Sequence, residues 1–406
     1  CGVLARDLDR TAELMGEDGE AWRRIASWYA SVADRLLPAL LETFPAVRRG
    51  LSIGPATMVR LASVALSSGR AFAERTFKTE AARRVIPALA LHTDVGPDDA
   101  LGAIVGFMLA VTGSHGGFQV PEGGAGMITR ALCARLREAG GHVHVGARVE
   151  YVLTEGSRAV AVRTSSGEEI RAKHAIVADT AAPTLFLELC DQRSVPSTVL
   201  DAMRRFRRGF GTFKVDWALA GPVPWLAEPA REAAVVHTGE SLDDLARFTR
   251  EVREGRLPED PYLVIGQQSI LDATRAPAGK HTLYAYSRVP GEIAGGYDAA
   301  ARARYLERIE ARIEALAPGF RERILARVAF TPTDLEAMNE NLLGGDLGGG
   351  TADITNQLFL RPLFPYFRYR TPLRGLYLGS SYAHPGAGVH GMCGYNAARA
   401  VLADLR

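Results

Sequence analysis

Between residues 18 and 44, apolar positions recur at three- and four-residue spacing: Trp22, Ile25, Trp28, Tyr29, Val32, Leu36, Leu40 and Phe44. That period predicts an amphipathic helix. Helical patterning continues over residues 55–76 and 79–91, and over an apolar run at 98–111. Residues 1–115 therefore read as mostly α. At Gly116 the texture changes to a glycine-rich loop, followed by a helix over 127–138 that Gly140-Gly141 stops. Alternation then takes over. Residues 142–145, 148–152 and 159–162 read as strands, with turns at Gly156-Ser157 and Ser166-Gly167, and 174–178 reads as a buried strand. Strands are also predicted at 213–219, 262–265 and 281–286, and a long amphipathic helix at 299–316.

The C-terminal 32 residues carry the most chemistry. Gly375 to Ser381 reads as a short buried strand ending in small residues, 384–391 as a glycine-rich turn, and 389–405 as a helix. Gly386, Gly388 and Gly391 satisfy G-x-G-x-x-G. A Rossmann unit would need a second strand and an acidic residue about 20 positions on, yet the chain ends at Arg406. The motif therefore reads as a glycine loop and helix N-terminus closing a fold, not opening one. A second glycine run, 344–350, reads as a flexible loop without that spacing.

Composition narrows the classes. Net charge is +2, so no pull toward nucleic acid is encoded. No apolar stretch reaches the ~18 residues of a membrane span. Four cysteines (Cys1, Cys133, Cys190, Cys393) show no C-x-x-C or metal spacing and read as reduced and buried. His142 and His144 would share a strand face, but no third ligand is visible, so no metal site is expected. Trp22, Trp28 and Tyr29 form an aromatic stripe that reads as core, with peripheral membrane contact as the minority reading.

These parts together resemble the phytoene-desaturase-like flavoproteins of the amine oxidase superfamily. The likeness rests on Pro121-Glu122-Gly123-Gly124 and its helix, Gly140-Gly141, Val149, the strand ending Val177-Ala178-Asp179, and the tail from Gly375 to Ala400. Phe213–Leu219, the Ala276–Thr282 stretch and the Gly388–Tyr395 stretch are similar to the branch around pyridine nucleotide-disulfide oxidoreductase domain-containing protein 2. The resemblance implies an α/β (α+β) fold: a discontinuous FAD-binding domain of the glutathione-reductase-like type, with a mixed helix and antiparallel-sheet substrate domain. It divides the chain into a helical part of the substrate domain (1–115), a middle FAD-binding segment (116–192), the rest of the substrate domain (193–365) and a C-terminal FAD-binding segment (366–406). The family opens with a strand, a G-x-G-x-x-G turn and a helix that hold the FAD pyrophosphate. Nothing between Cys1 and Gly117 matches that unit, and the opening on Cys1 reads as mid-domain sequence, so the unit is expected to be absent.

The activity implied is hydride transfer from a C–C or C–N bond of a small apolar substrate to flavin N5, with FAD as cofactor and a cytoplasmic location (mitochondrial matrix if eukaryotic). The alternatives are an amine oxidase, which predicts a tyrosine cage for which Tyr382 and Tyr395 are the nearby residues, and a non-catalytic regulatory or interaction protein or inert fragment. By resemblance, the backbone of Val149 meets the adenine, Gly379 and Ser380 lie near the pyrophosphate, and Gly386, Gly388, Val389 and Gly391 border the isoalloxazine ring. The catalytic candidates are Lys214, in an apolar strand where desolvation would depress its pKa, and His384, just ahead of the glycines.

Overall fold

The computed structural model describes all 406 residues and divides into two compact units. Its strands, in chain order, are β1 (Val149–Glu155), β2 (Arg158–Thr164), β3 (Glu169–Arg171), β4 (Ile176–Ala178), β5 (Gly211–Leu219), β6 (Val235–His237), β7 (Val264–Gly266), β8 (His281–Val289), β9 (Ile324–Phe330) and β10 (Leu376–Leu378).

The first unit comprises Cys1–Ser31, Val59–Val143 and Phe210–Leu335. Its sheet is antiparallel with the order β6-β7-β8-β5-β9. β5 lies between β8 and β9, and its alternation places Phe213, Val215, Trp217 and Leu219 in a core with Leu283, Ala285 and Ile265. The helix Ala299–Leu316, capped by Asp298, lays Tyr305, Ile309 and Ile313 on that core. Trp217 Nε1 donates to the buried Glu310 carboxylate, which also receives Arg327, so an indole N–H and a carboxylate satisfy each other inside the apolar layer. Trp22 and Tyr29 are fully buried, while Trp28 carries Arg60 over its ring face at 4.4 Å. The stripe is core.

The second unit comprises Val32–Met58, His144–Gly209 and Glu336–Arg406. It holds the antiparallel meander β1-β2-β3 and the parallel pair β10-β4. Leu376, Leu378, Tyr369, Leu185, Phe186 and Ala397 pack into its core. Residues 336–365 fall in this unit with the C-terminal segment, whereas the expected boundary lay at 365. The reason is polar: buried Arg361 ties this stretch to Ser381, and buried Asp346 ties it to Gly209 (see below).

Two expectations fail locally. Residues 142–145 form no strand, and Val145 is exposed; an alternating segment without a ladder partner has nothing to hold its N–H and C=O groups in register. Cys1 is exposed and Cys133 half-buried, leaving only Cys190 and Cys393 in the interior. The helix Gly126–Glu138 forms as predicted but buries none of its residues, with Leu132 and Leu136 among those exposed. No helix is long and apolar enough to cross a membrane.

Candidate functional site

In the second unit, β4 and β10 run parallel with Leu376 opposite Ile176 and Leu378 opposite Ala178. Their carboxyl ends therefore open side by side, where parallel sheets commonly bind ligands. The ladder runs one step further, Gly379 N–H donating to Ala178 O at 2.8 Å. A Cβ on Gly379 would sit 2.9 Å from Val177 Cγ1, so the glycine is required for the strands to stay this close. Ser380 is buried, and its hydroxyl accepts from Tyr382 N–H.

The chain then turns through the cis His384–Pro385 peptide and the glycines into the terminal helix Met392–Asp404. Gly386 (φ 99°) can only be glycine: a Cβ there would lie 3.2 Å from the Arg361 guanidinium. At Gly391 the situation is opposite. It is the left-handed N-cap of the helix (φ 65°), a Cβ there would meet nothing within 4 Å, and the first helical N–H, that of Met392, is taken by His390 Nδ1 at 3.0 Å. The N-terminus of this 13-residue helix carries a partial positive charge, and Gly391 at its start is exposed. Val389 is 93% exposed beside it.

His384 is buried and its Nε2 has no hydrogen-bond partner. Its carbonyl accepts the Tyr369 hydroxyl at 2.7 Å. Burial pushes the imidazole down to about 4, with the Arg361 charge acting the same way against the opposing carbonyls of Leu40 and Glu42, so the ring is neutral at neutral pH. Thr180 Oγ1, just past β4, is likewise buried without a partner. These are the second unit's two orphaned buried side-chain atoms, and each lies just beyond one of the two parallel strands. Buried polar groups normally find partners.

Beneath the turn sits a hub that sequence reasoning missed. Arg361 is 2% exposed. Its guanidinium donates to the carbonyls of Gly348 (2.7 Å), Gly349 (3.0 Å), Ser381 (2.7 Å) and Asn356 (3.4 Å). The buried Asp346 carboxylate accepts N–H groups from Gly209, Gly348 and Gly350. The glycine run 344–350 is thus pinned rather than flexible. Asn341 clamps the end of β4, accepting from Ala181 N–H and donating to the Asp179 carbonyl, while its own carbonyl takes the Tyr382 hydroxyl. Asp179 itself sits at the end of β4, and desolvation raises its carboxyl above the usual range. Its place directly after a predicted strand was the only available signal, though β4 is not the buried strand expected, with Val177 47% exposed; Arg361 and Asp346 offered none.

The remaining candidates lie as follows. Val149 opens β1, paired with Thr164, its backbone part of the ladder edge. Tyr382 is buried and Tyr395 half-exposed beside Arg399, so the two make no paired cage. Lys214 belongs to the first unit, on β5, where its ammonium is ion-paired with Asp216 and lies over the rings of Tyr284 and Phe330. His142 and His144 lie outside any strand.

The model of the family described as flavin containing amine oxidoreductase matches residues 26–402. The chain belongs to that family. FAD is the family's cofactor, and its relatives include oxidoreductases. The mouse pyridine nucleotide-disulfide oxidoreductase domain-containing protein 2 is 30% identical over 313 residues, 74% of this chain and 53% of that protein. A zeta-carotene-forming phytoene desaturase of Myxococcus xanthus is 30% identical over 216 residues, 53% of this chain and 39% of its own length. The chain thus spans about half the length of the first of these relatives. Among solved structures, an oxidoreductase from Methanosarcina mazei superposes with a TM-score of 0.54 at 17% identity, covering 84% of this chain and 68% of that one. The shared fold is α/β, as expected.

Proposed function

We propose that this protein is an FAD-dependent oxidoreductase whose flavin-side wall is the glycine turn Gly386–Gly391 and the N-terminus of the helix Met392–Asp404. The carrying observation is the exposed helix N-terminus at Gly391, where a Cβ would meet nothing within 4 Å. When bound, FAD supplies the hydride acceptor, N5, for a C–C or C–N bond of a small apolar substrate.

The chain's own groups supply the setting. Backbone N–H groups from Val389 to Gly391, backed by the helix dipole, favour negative charge at the ligand edge they face. Gly388 leaves no side chain between backbone and ligand. Gly379 and Ser380 would hold the pyrophosphate at the strand end, and the Val149 backbone would offer its N–H and C=O to the adenine. His384, neutral and with its ring N–H engaged by main-chain carbonyls, has a free Nε2 that can accept one hydrogen bond without adding charge. Lys214 is the candidate on β5, its charge balanced by Asp216.

The reading is tested by mixing the flavin-loaded protein anaerobically with an apolar polyene and, separately, with a primary amine. Bleaching of the flavin by the polyene is expected; bleaching by neither contradicts hydride transfer. In the same assay His384→Ala and Lys214→Ala are each expected to slow reduction by roughly 10²-fold, the scale of one positioned proton-transfer or hydrogen-bonding group. An unchanged rate removes that residue from the chemistry.

A further inference from the structure

The second unit contains a cavity of about 620 Å³ that the flavin reading does not use. Its size falls within the ~300–1,000 Å³ typical of small-molecule sites. One wall is the helix Ser197–Arg204 and the residues after it, with Val199, Ala202 and Phe206 facing in. The opposite wall is Pro362, Leu363 and Tyr366. Leu360 and Phe364 complete the mouth and remain exposed, at 46% and 66%.

The charged lining is one-signed: Arg205 and Arg207, with no carboxylate among the lining residues. Arg207 is already paired with Asp353 and bonded to Thr355. Arg205 is different. Its Nε donates to the Asp201 carbonyl, and its two terminal nitrogens are bound to nothing. An apolar trough thus ends at one guanidinium fork with donors to spare, the geometry that suits a carboxylate.

We infer that this cavity is a second binding site, for a fatty carboxylate: an aliphatic chain lying along Val199, Ala202 and Leu363 with its head group on Arg205. Thr198 lines the same cavity and adds a hydroxyl for the head group, whereas the Thr355 hydroxyl is already donated to Asp353. The site abuts the flavin-side turn from behind. Phe206 packs on Tyr382 with ring centroids 5.5 Å apart, and Asn356 gives its carbonyl to Arg361, whose guanidinium lies under Gly386. The inference is independent of the redox reading, since it needs only the protein.

The experiment is calorimetric titration of the protein with decanoate, octanoate and decan-1-ol below their aggregation limits. One saturable site per chain is expected. Decanoate should bind about tenfold or more tighter than octanoate, since each buried methylene adds close to fourfold, and about tenfold tighter than the neutral alcohol. Arg205 is exposed, so Arg205→Gln leaves the fold intact and should erase the preference for decanoate over decan-1-ol. Ala202→Trp fills the trough and should weaken both ligands at least tenfold. No saturable binding, or binding unchanged by Ala202→Trp, overturns the site. Equal affinity for decanoate and decan-1-ol overturns the anionic head group.

Discussion

Replacing Arg361 with leucine is expected to destabilise the second unit by about 3–5 kcal/mol. The side chain is almost wholly buried and is the donor for four main-chain carbonyls, at Gly348, Gly349, Asn356 and Ser381. A buried acceptor left without its partner costs roughly 1–3 kcal/mol. The four losses share one relaxation, so they do not add in full. Arg361→Lys should recover only part, because one ammonium cannot span the four acceptors that a planar fork reaches. Chemical unfolding followed by far-ultraviolet circular dichroism checks this. All four tryptophans (Trp22, Trp28, Trp217, Trp225) lie in the first unit, so tryptophan fluorescence provides a separate readout of that unit. A loss under about 1 kcal/mol would mean that the guanidinium is replaceable by water and that the hub does not organise the turn.

Acid is expected to weaken the first unit well before carboxylates protonate. His92 Nε2 and His237 Nε2 meet at 2.8 Å, and Tyr286 OH sits 2.9 Å from His92 Nδ1. A bond between two ring nitrogens needs one proton, with the second nitrogen accepting. Protonating that acceptor sets two N–H groups against each other. Burial pushes His92 down to about 4, with the nearby Arg288 charge acting the same way. Burial likewise pushes His237 down to about 3, with His92 reinforcing it. Tyr262, stacked on His237 and bonded to the Ala88 carbonyl, contributes no compensating negative charge, because its hydroxyl is held far above its usual pKa.

The sign follows from proton counting. Below the ordinary histidine value of ~6.5 the unfolded chain binds protons that the folded pair refuses. Stability is therefore full above ~6.5 and falls as pH drops toward 4, by up to roughly 1.4 kcal/mol per histidine per pH unit. Tryptophan-monitored unfolding at pH 7.5 and pH 5 should show a loss of about 2–4 kcal/mol. A His92→Gln/His237→Gln variant should lose clearly less over the same interval. Equal slopes in both proteins would show that the pair is not the acid-sensitive element.

What could be read from the chain was local. The tail, read as strand, glycine turn and helix, folds as Leu376–Leu378, the turn and Met392–Asp404. The 299–316 helix falls on its expected residues, because its apolar stripe and its terminators lie within one segment. Where tertiary partners decide, the pattern misled or was silent. Residues 142–145 alternate like a strand and form none, since alternation cannot supply a ladder partner. The strands Val235–His237 and Ile324–Phe330 carried too little pattern to be predicted, yet β9 is held along its length by β5. The run 344–350 reads as flexible because glycine is permissive, but Asp346 and Arg361, a polar pair with no sequence signature, pin it. At the site, the glycines were legible from their spacing. His384 was legible only as a histidine in a turn; its burial and unpartnered Nε2 depend on residues as distant as Leu40.

The central claim is that a flavin occupies the open end of the terminal helix, and Gly391 gives the sharpest access to it. Its Cβ direction is empty of protein, so Gly391→Leu would put a side chain where the ligand should lie. The backbone penalty is modest, about 1–2 kcal/mol for a non-glycine residue in the left-handed region. The measurement is the flavin content of the protein isolated from cells expressing its whole gene, wild type against Gly391→Leu, with folding of both checked by circular dichroism. The wild type should carry one FAD per chain, and the folded variant should have lost it. A wild type without flavin, or a variant that keeps its full complement, would contradict the assignment of this turn to the cofactor.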